Sequence, residues 1–102
     1  MKKKTGLELI AVERQEQIEK HGRTLAHDVL HNSHGQLSHA ASFLCLEDWG
    51  CNSVDDIVED HCPHGWDEEI WRKMLEKTYE ERIIIAGALI AAEVDRLNHT
   101  AV

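Results

Sequence analysis

Apolar residues in this chain recur at helical rather than strand spacing. Leu37, Ala40, Ala41 and Leu44 step by three and four positions, which predicts one inward stripe on a helix from about Gly35 to Leu46. The run Ile83 to Ala92 is apolar on every side and then turns abruptly ionic at Glu93-Val94-Asp95-Arg96-Leu97. A helix that is apolar all round has to be enclosed by other helices or by a partner subunit. A bilayer crossing needs about 20 apolar residues. This run is about half that length, so it predicts a core segment of a helix from about Tyr79 to Asn98 and no membrane association. Gly87 and Ala91 would let backbones approach closely at an interface between subunits.

Helix starts are marked by hydroxyl residues placed three positions before Glu or Gln, the reciprocal capping pattern. Thr5-x-x-Glu8, Ser33-x-x-Gln36 and Thr78-x-x-Glu81 all fit it. The first helix is expected from about Leu7 to Lys20, stopped by Gly22 in a left-handed cap. A short helix capped by Thr24 would put His27 and His31 on one face, and Asp67 would cap another running through Ile70, Met74 and Leu75. Residues 47–66, with Trp49-Gly50, Cys62-Pro63 and Gly65-Trp66, read as an irregular connection, with Trp49, Trp66 and Trp71 anchoring it to the bundle. Strand-like alternation, repeats and low-complexity linkers are lacking. The expected fold is all-α, a small bundle of three long helices plus short ones. It forms a single domain over 1–102, and its size favours a homodimer or higher homo-oligomer.

The formal net charge is -8. Nucleic acid is thereby excluded as a partner, because phosphate backbones need a clustered positive face. The basic cluster Lys2-Lys3-Lys4 sits at a terminus expected to fray, and Glu8, Glu13 and Arg14 interrupt the apolar stretch after it. It is no secretory signal, so the cytoplasm is the expected location.

The first helix carries Glu13, Arg14, Glu16 and Gln17 at offsets that place two carboxylates and an amide on one face. Such pairs suit Mg²⁺ or Mn²⁺ bridged to phosphates, or else a solvated face with Lys20 pairing Glu16. His27-Asp28-x-x-His31 is a metal-gripping spacing that equally serves to cap and hydrogen-bond a connection. Cys45, Cys51, His61, Cys62 and His64 match none of the common zinc patterns, which argues against structural zinc. Phosphate-loop, dinucleotide and serine-nucleophile motifs do not occur. Acidic and histidine side chains would have to carry any activity.

The blocks Glu13-Arg14-Gln15-x-Gln17-Ile18-Glu19-Lys20-His21-Gly22, Gly35-Gln36-Leu37-x-x-Ala40-Ala41, Pro63-x-Gly65-Trp66 and Ile85 to Leu97 resemble a group of small proteins encoded by phages and prophages. More distantly the chain is similar to the all-α nucleoside triphosphate pyrophosphohydrolases of the MazG-like superfamily. That resemblance implies a helical, oligomeric, Mg²⁺-dependent protein. The superfamily pattern is E-E-x-x-E on one helix and E-x-x-D on a later one. Here Glu13-x-x-Glu16 lacks the leading doublet, and Arg96 stands where the aspartate would be.

Two functions from different classes follow. In the first, Glu13, Glu16 and Glu93 hold Mg²⁺ or Mn²⁺ on the phosphates of a nucleotide, and Asp28 or His31 orients the attacking water. Arg14, Gln17 and Arg96 then meet the substrate, or Arg96 holds Glu93. In the second, the chain is a non-catalytic phage or mobile-element protein that sequesters a nucleotide signal or docks on a host protein.

Overall fold

The computed structural model describes residues 3–100, so Lys2 of the basic cluster and its expected fraying lie outside the described residues. Helices α1 (Gly6–His21), α2 (Leu25–His31), α3 (Gln36–Leu44), α4 (Val54–His61), α5 (Glu68–Leu75) and α6 (Tyr79–Thr100) follow one another along the chain. The described residues include no strand, and the fold is all-α. None of the described helices is long and apolar enough to cross a membrane.

Most helix starts obey the capping chemistry read from the sequence. Thr5 accepts from the Glu8 amide while the Glu8 carboxylate accepts from the Thr5 amide, and these bonds hold the Glu8 carboxyl below its ordinary pKa. Thr78 and Glu81 exchange the same two bonds at the start of α6. Thr24 and Asp67 each cap their helices by accepting from the amide three residues on. Gly22 ends α1 at φ 65°.

Two starts differ from expectation. Helix α3 begins at Gln36 after Gly35, at φ 79°, and has no side-chain cap, so Ser33 does not serve. Gln36 is buried and uses its amide on the connections, accepting from the His34 amide and donating to the His31 and His64 carbonyls. The second difference is α4, which lies inside the segment expected to be irregular. Ser53 and Asp56 form its capping box, and Ile57 and Val58 bury its inner face. At eight residues it is too short for periodicity to stand out between the turn signals on either side.

The core is centred on the α3 stripe of Leu37, Ala40, Ala41 and Leu44, packed on Ile85, Ala86, Leu89 and Ala92 of α6, with Trp71 and Leu75 of α5 and Ile57 and Val58 of α4. Arg82 locks this arrangement from inside. Its guanidinium donates to the carbonyls of Leu44, Leu46, Glu47 and Lys77 and lies 4.7 Å from the centre of the Trp49 ring. Carbonyls left over at the end of α3 are thereby satisfied by the first turn of α6.

Within one chain, helix α6 is enclosed on only some of its sides. Ala88 and Leu89 are fully buried, but Ile83 and Ile90 are 37 % and 45 % exposed. The reason is thickness: the molecule measures 22 Å in its short dimension, about two helix diameters, so no third layer covers that face. Gly87 serves a contact within the chain, because the space beside its Cα is filled by the Ile10 side chain of α1.

Candidate functional site

Beyond Ile10, which packs on Gly87, the face that α1 turns inward is polar. Its buried residue is Gln17, 3 % exposed, flanked by the half-buried Glu13 and Arg14. A polar stripe where an apolar one would stabilise more marks a place where the sequence serves something besides the core.

One part of that stripe is structural. Asp28 of α2 is fully buried; its Oδ1 accepts from Asn32 Nδ2 at 2.8 Å, and Asn32 Oδ1 in turn accepts from Trp66 Nε1 at 2.8 Å. Arg14 Nη2 stands 3.8 Å from Asp28 Oδ2, and Arg14 Nη1 donates to the Arg23 carbonyl. Burial pushes the Asp28 carboxyl above its ordinary pKa, opposed by the Asn32 bond and by the charges of Arg14, His27 and Arg23. This network fastens α2 to α1 and to the turn before α5.

The other part opens into a groove. Glu13, Gln17 and His21 of α1, Arg23, Ile70, Lys73 and Met74 of α5, Lys77 and Ile85 line a cavity of about 460 Å³. A second cavity of about 270 Å³ shares His21, Arg23 and Ile70 with it and continues past His27, His31 and Trp66. The Arg23 guanidinium lies 4.4 Å from the centre of the Trp66 ring and borders both. Burial lowers the Arg23 pKa, with Arg14 adding to the effect and Asp28 opposing it. The larger cavity falls in the size range of small-molecule sites and combines apolar side chains with convergent polar groups.

The distribution of cations gives the groove its character. From Thr5 onward, Arg14, Lys20, Arg72 and Arg96 stand in ion pairs with Asp28, Glu16, Asp55 and Glu93, and Arg82 is taken up by carbonyls. Among the described residues, Arg23, Lys73 and Lys77 have no carboxylate within ion-pair distance, and all three line the groove. The groove thus gathers three cations outside close ion pairs, with Asp28 and Glu81 acting on Arg23 and Lys77 from a longer range and Glu13 on the same lining.

The residues expected to form a metal site are not brought together. Glu93 gives both oxygens to Arg96, at 2.7 and 3.0 Å, and that pairing raises the Arg96 pKa. Glu16 pairs with Lys20 on an exposed face, while Glu13 accepts from Gln17 Nε2 at 3.2 Å and lines the groove. Among the described residues no three His, Cys, Asp or Glu side chains are grouped as a metal's ligands would be. His31 does share a face with His27, their rings 4.8 Å apart, and borders the smaller cavity; Asp28 lines neither cavity. Of the expected substrate contacts, Gln17 lies in the groove, whereas Arg14 and Arg96 are engaged with Asp28 and Glu93.

Sequence reasoning missed Arg23, Lys73 and Lys77. In the sequence Lys73 and Lys77 stand among Glu69, Glu76, Glu80 and Glu81, which reads as an ordinary solvated face and carries no signal for a site. Comparison with protein-family models, with curated proteins and with solved structures gives no match to this chain.

Proposed function

We propose that the protein binds a phosphorylated, nucleotide-like small molecule in the groove between α1 and α5 and acts by holding it. One observation carries this reading: three cations that stand in no close ion pair among the described residues, Arg23, Lys73 and Lys77, line one cavity of about 460 Å³. Phosphate oxygens would take the charge of the two lysines and of Arg23, and an aromatic or sugar portion would lie against Ile70, Met74 and Ile85. His21, on the same wall, adds a further donor at the phosphate end. The commitment of Glu93 to Arg96 and of Glu16 to Lys20 favours holding over metal-assisted hydrolysis.

The reading is tested by calorimetry and thermal shift with a panel of nucleoside mono- and triphosphates, each in buffer containing Mg²⁺ as the nucleotide's counter-ion. Binding that is stoichiometric, weakens with salt and is lost in Lys73→Ala/Lys77→Ala supports it. Release of pyrophosphate or phosphate, followed by chromatography with and without chelator, would replace holding by turnover. No binding by any nucleotide would remove the reading.

A further inference from the structure

The groove holds a second polar feature besides its cations. Gln17 is 3 % exposed and lines the cavity, and its Oε1 is buried with no hydrogen-bond partner. The amide's orientation is chemically determined, because Nε2 donates to Glu13 Oε2 at 3.2 Å and a flipped amide would set oxygen against carboxylate oxygen. Glu13 lines the same cavity, and among the described residues its other oxygen takes part in no hydrogen bond or ion pair. Gln17 and Glu13, one turn apart on α1 and joined by that bond, thus each keep an oxygen without a partner among the described residues, and the one on Gln17 is buried, where an unpaired acceptor is costly.

We infer that this Glu13–Gln17 pair reads the base of a guanine nucleotide. The inference rests on the groove being a nucleotide site and adds to that reading which base it takes. Two neighbouring acceptors call for two neighbouring donors. Guanine offers them in its ring N1–H and exocyclic N2–H₂. Adenine and cytosine place their amino group beside a ring acceptor, and uracil and hypoxanthine have a ring N–H with no amino group beside it. A carboxylate facing the other bases would meet a lone pair or be left with an unsatisfied oxygen, which is the stronger basis of discrimination. The apolar side chains of Ile70, Met74 and Ile85 suit the faces of a purine, and Met74 in particular packs well on an aromatic ring. Lys73 and Lys77 then serve the phosphates whatever the base.

The test compares GTP, ITP, ATP and UTP by calorimetry on the full chain. ITP differs from GTP only in lacking the exocyclic amino group. GTP is expected to bind about 10- to 100-fold more tightly than ITP, the range for one hydrogen bond to a charged acceptor, with ATP and UTP no better than ITP. Glu13→Gln, which keeps a hydrogen-bonding partner for Gln17, is expected to bring the GTP-to-ITP ratio close to one while UTP binds no worse. Gln17→Met should lower the same ratio, and Glu13→Gln keeps the test decisive where that buried replacement fails to fold. Equal affinity for all four nucleotides would overturn the base assignment and leave the groove reading standing. A GTP preference that persists unchanged in Glu13→Gln would also overturn it. Absence of binding by all four would defeat both.

Discussion

The side chain of Ile10 in α1 lies directly over the bare Cα of Gly87 in α6. A Cβ built on Gly87 would stand 2.6 Å from Ile10 Cδ1 and 2.9 Å from its Cγ1. Glycine inside a helix ordinarily costs about 1 kcal/mol relative to alanine. Here the close approach of α1 reverses the sign. Gly87→Ala should lower the melting temperature, and Gly87→Ala/Ile10→Ala should be more stable than the sum of the two single changes predicts. Additive effects in that double-mutant cycle would mean the two helices do not meet as described.

Arg82 joins the end of α3, the turn after it and the start of α6 through one planar group. Arg82→Lys retains the charge but presents an ammonium that cannot span the carbonyls of Leu44, Leu46, Glu47 and Lys77. A loss of roughly 2–4 kcal/mol in denaturant unfolding is expected for the lysine variant, since buried carbonyls are left without donors. A loss below 0.5 kcal/mol would show that those carbonyls find other partners.

Asp28 gives a pH dependence whose sign differs from that of a surface carboxylate. Its folded pKa lies above the unfolded value, so the folded state binds the proton more readily. Its contribution therefore turns more favourable as pH falls through the raised folded pKa toward the ordinary carboxylate range. Glu8 and Glu81, whose pKa values are lowered, act in the opposite direction in any variant. The comparison that isolates Asp28 is wild type against Asp28→Asn, melted from pH 7 down to pH 4. The gap should move in favour of the wild type on acidification; movement the other way would mean that Arg14 and Arg23 outweigh burial.

Glu93 and Arg96 form a two-point ion pair with 12 % of each side chain exposed. Glu93→Ala should cost roughly 1–3 kcal/mol, between an exposed pair and a fully buried one. Nucleotide binding in the groove should be unaffected, because Glu93 does not line it. A variant as stable as wild type but unable to bind would return Glu93 to the site.

The lysines separate ligand binding from folding. Both are exposed, so Lys73→Ala and Lys77→Ala should leave the melting curve of the free protein within about 0.5 kcal/mol of wild type. Each should weaken a triphosphate more than the matching monophosphate. Equal weakening of both would place the outer phosphates elsewhere.

Local chemistry in this chain was legible wherever a few neighbouring residues decide it. The caps at Thr5, Thr24, Asp67 and Thr78, the left-handed stop at Gly22 and the α3 stripe all follow from spacing within one or two turns, and so did the all-α fold; the pairing of Glu93 with Arg96 was one of two readings of those residues, beside a metal ligand and a substrate contact. Helix α4 escaped because eight residues give too little periodicity, although Ser53-x-x-Asp56 already carried its cap. What only tertiary structure decided is which side chains of different helices share a space. Sequence offsets relate Glu13 to Glu16 and His27 to His31, but they are silent on Lys73 and Lys77, which share a cavity with Gln17 and Arg23 only because α5 and the turn after it face α1 across the groove. They are equally silent on Gly87 lying under Ile10 and on the exposure of Ile83 and Ile90. Helical periodicity specifies a face; what that face meets depends on crossings between segments tens of residues apart, and those are set by the packing of the whole core.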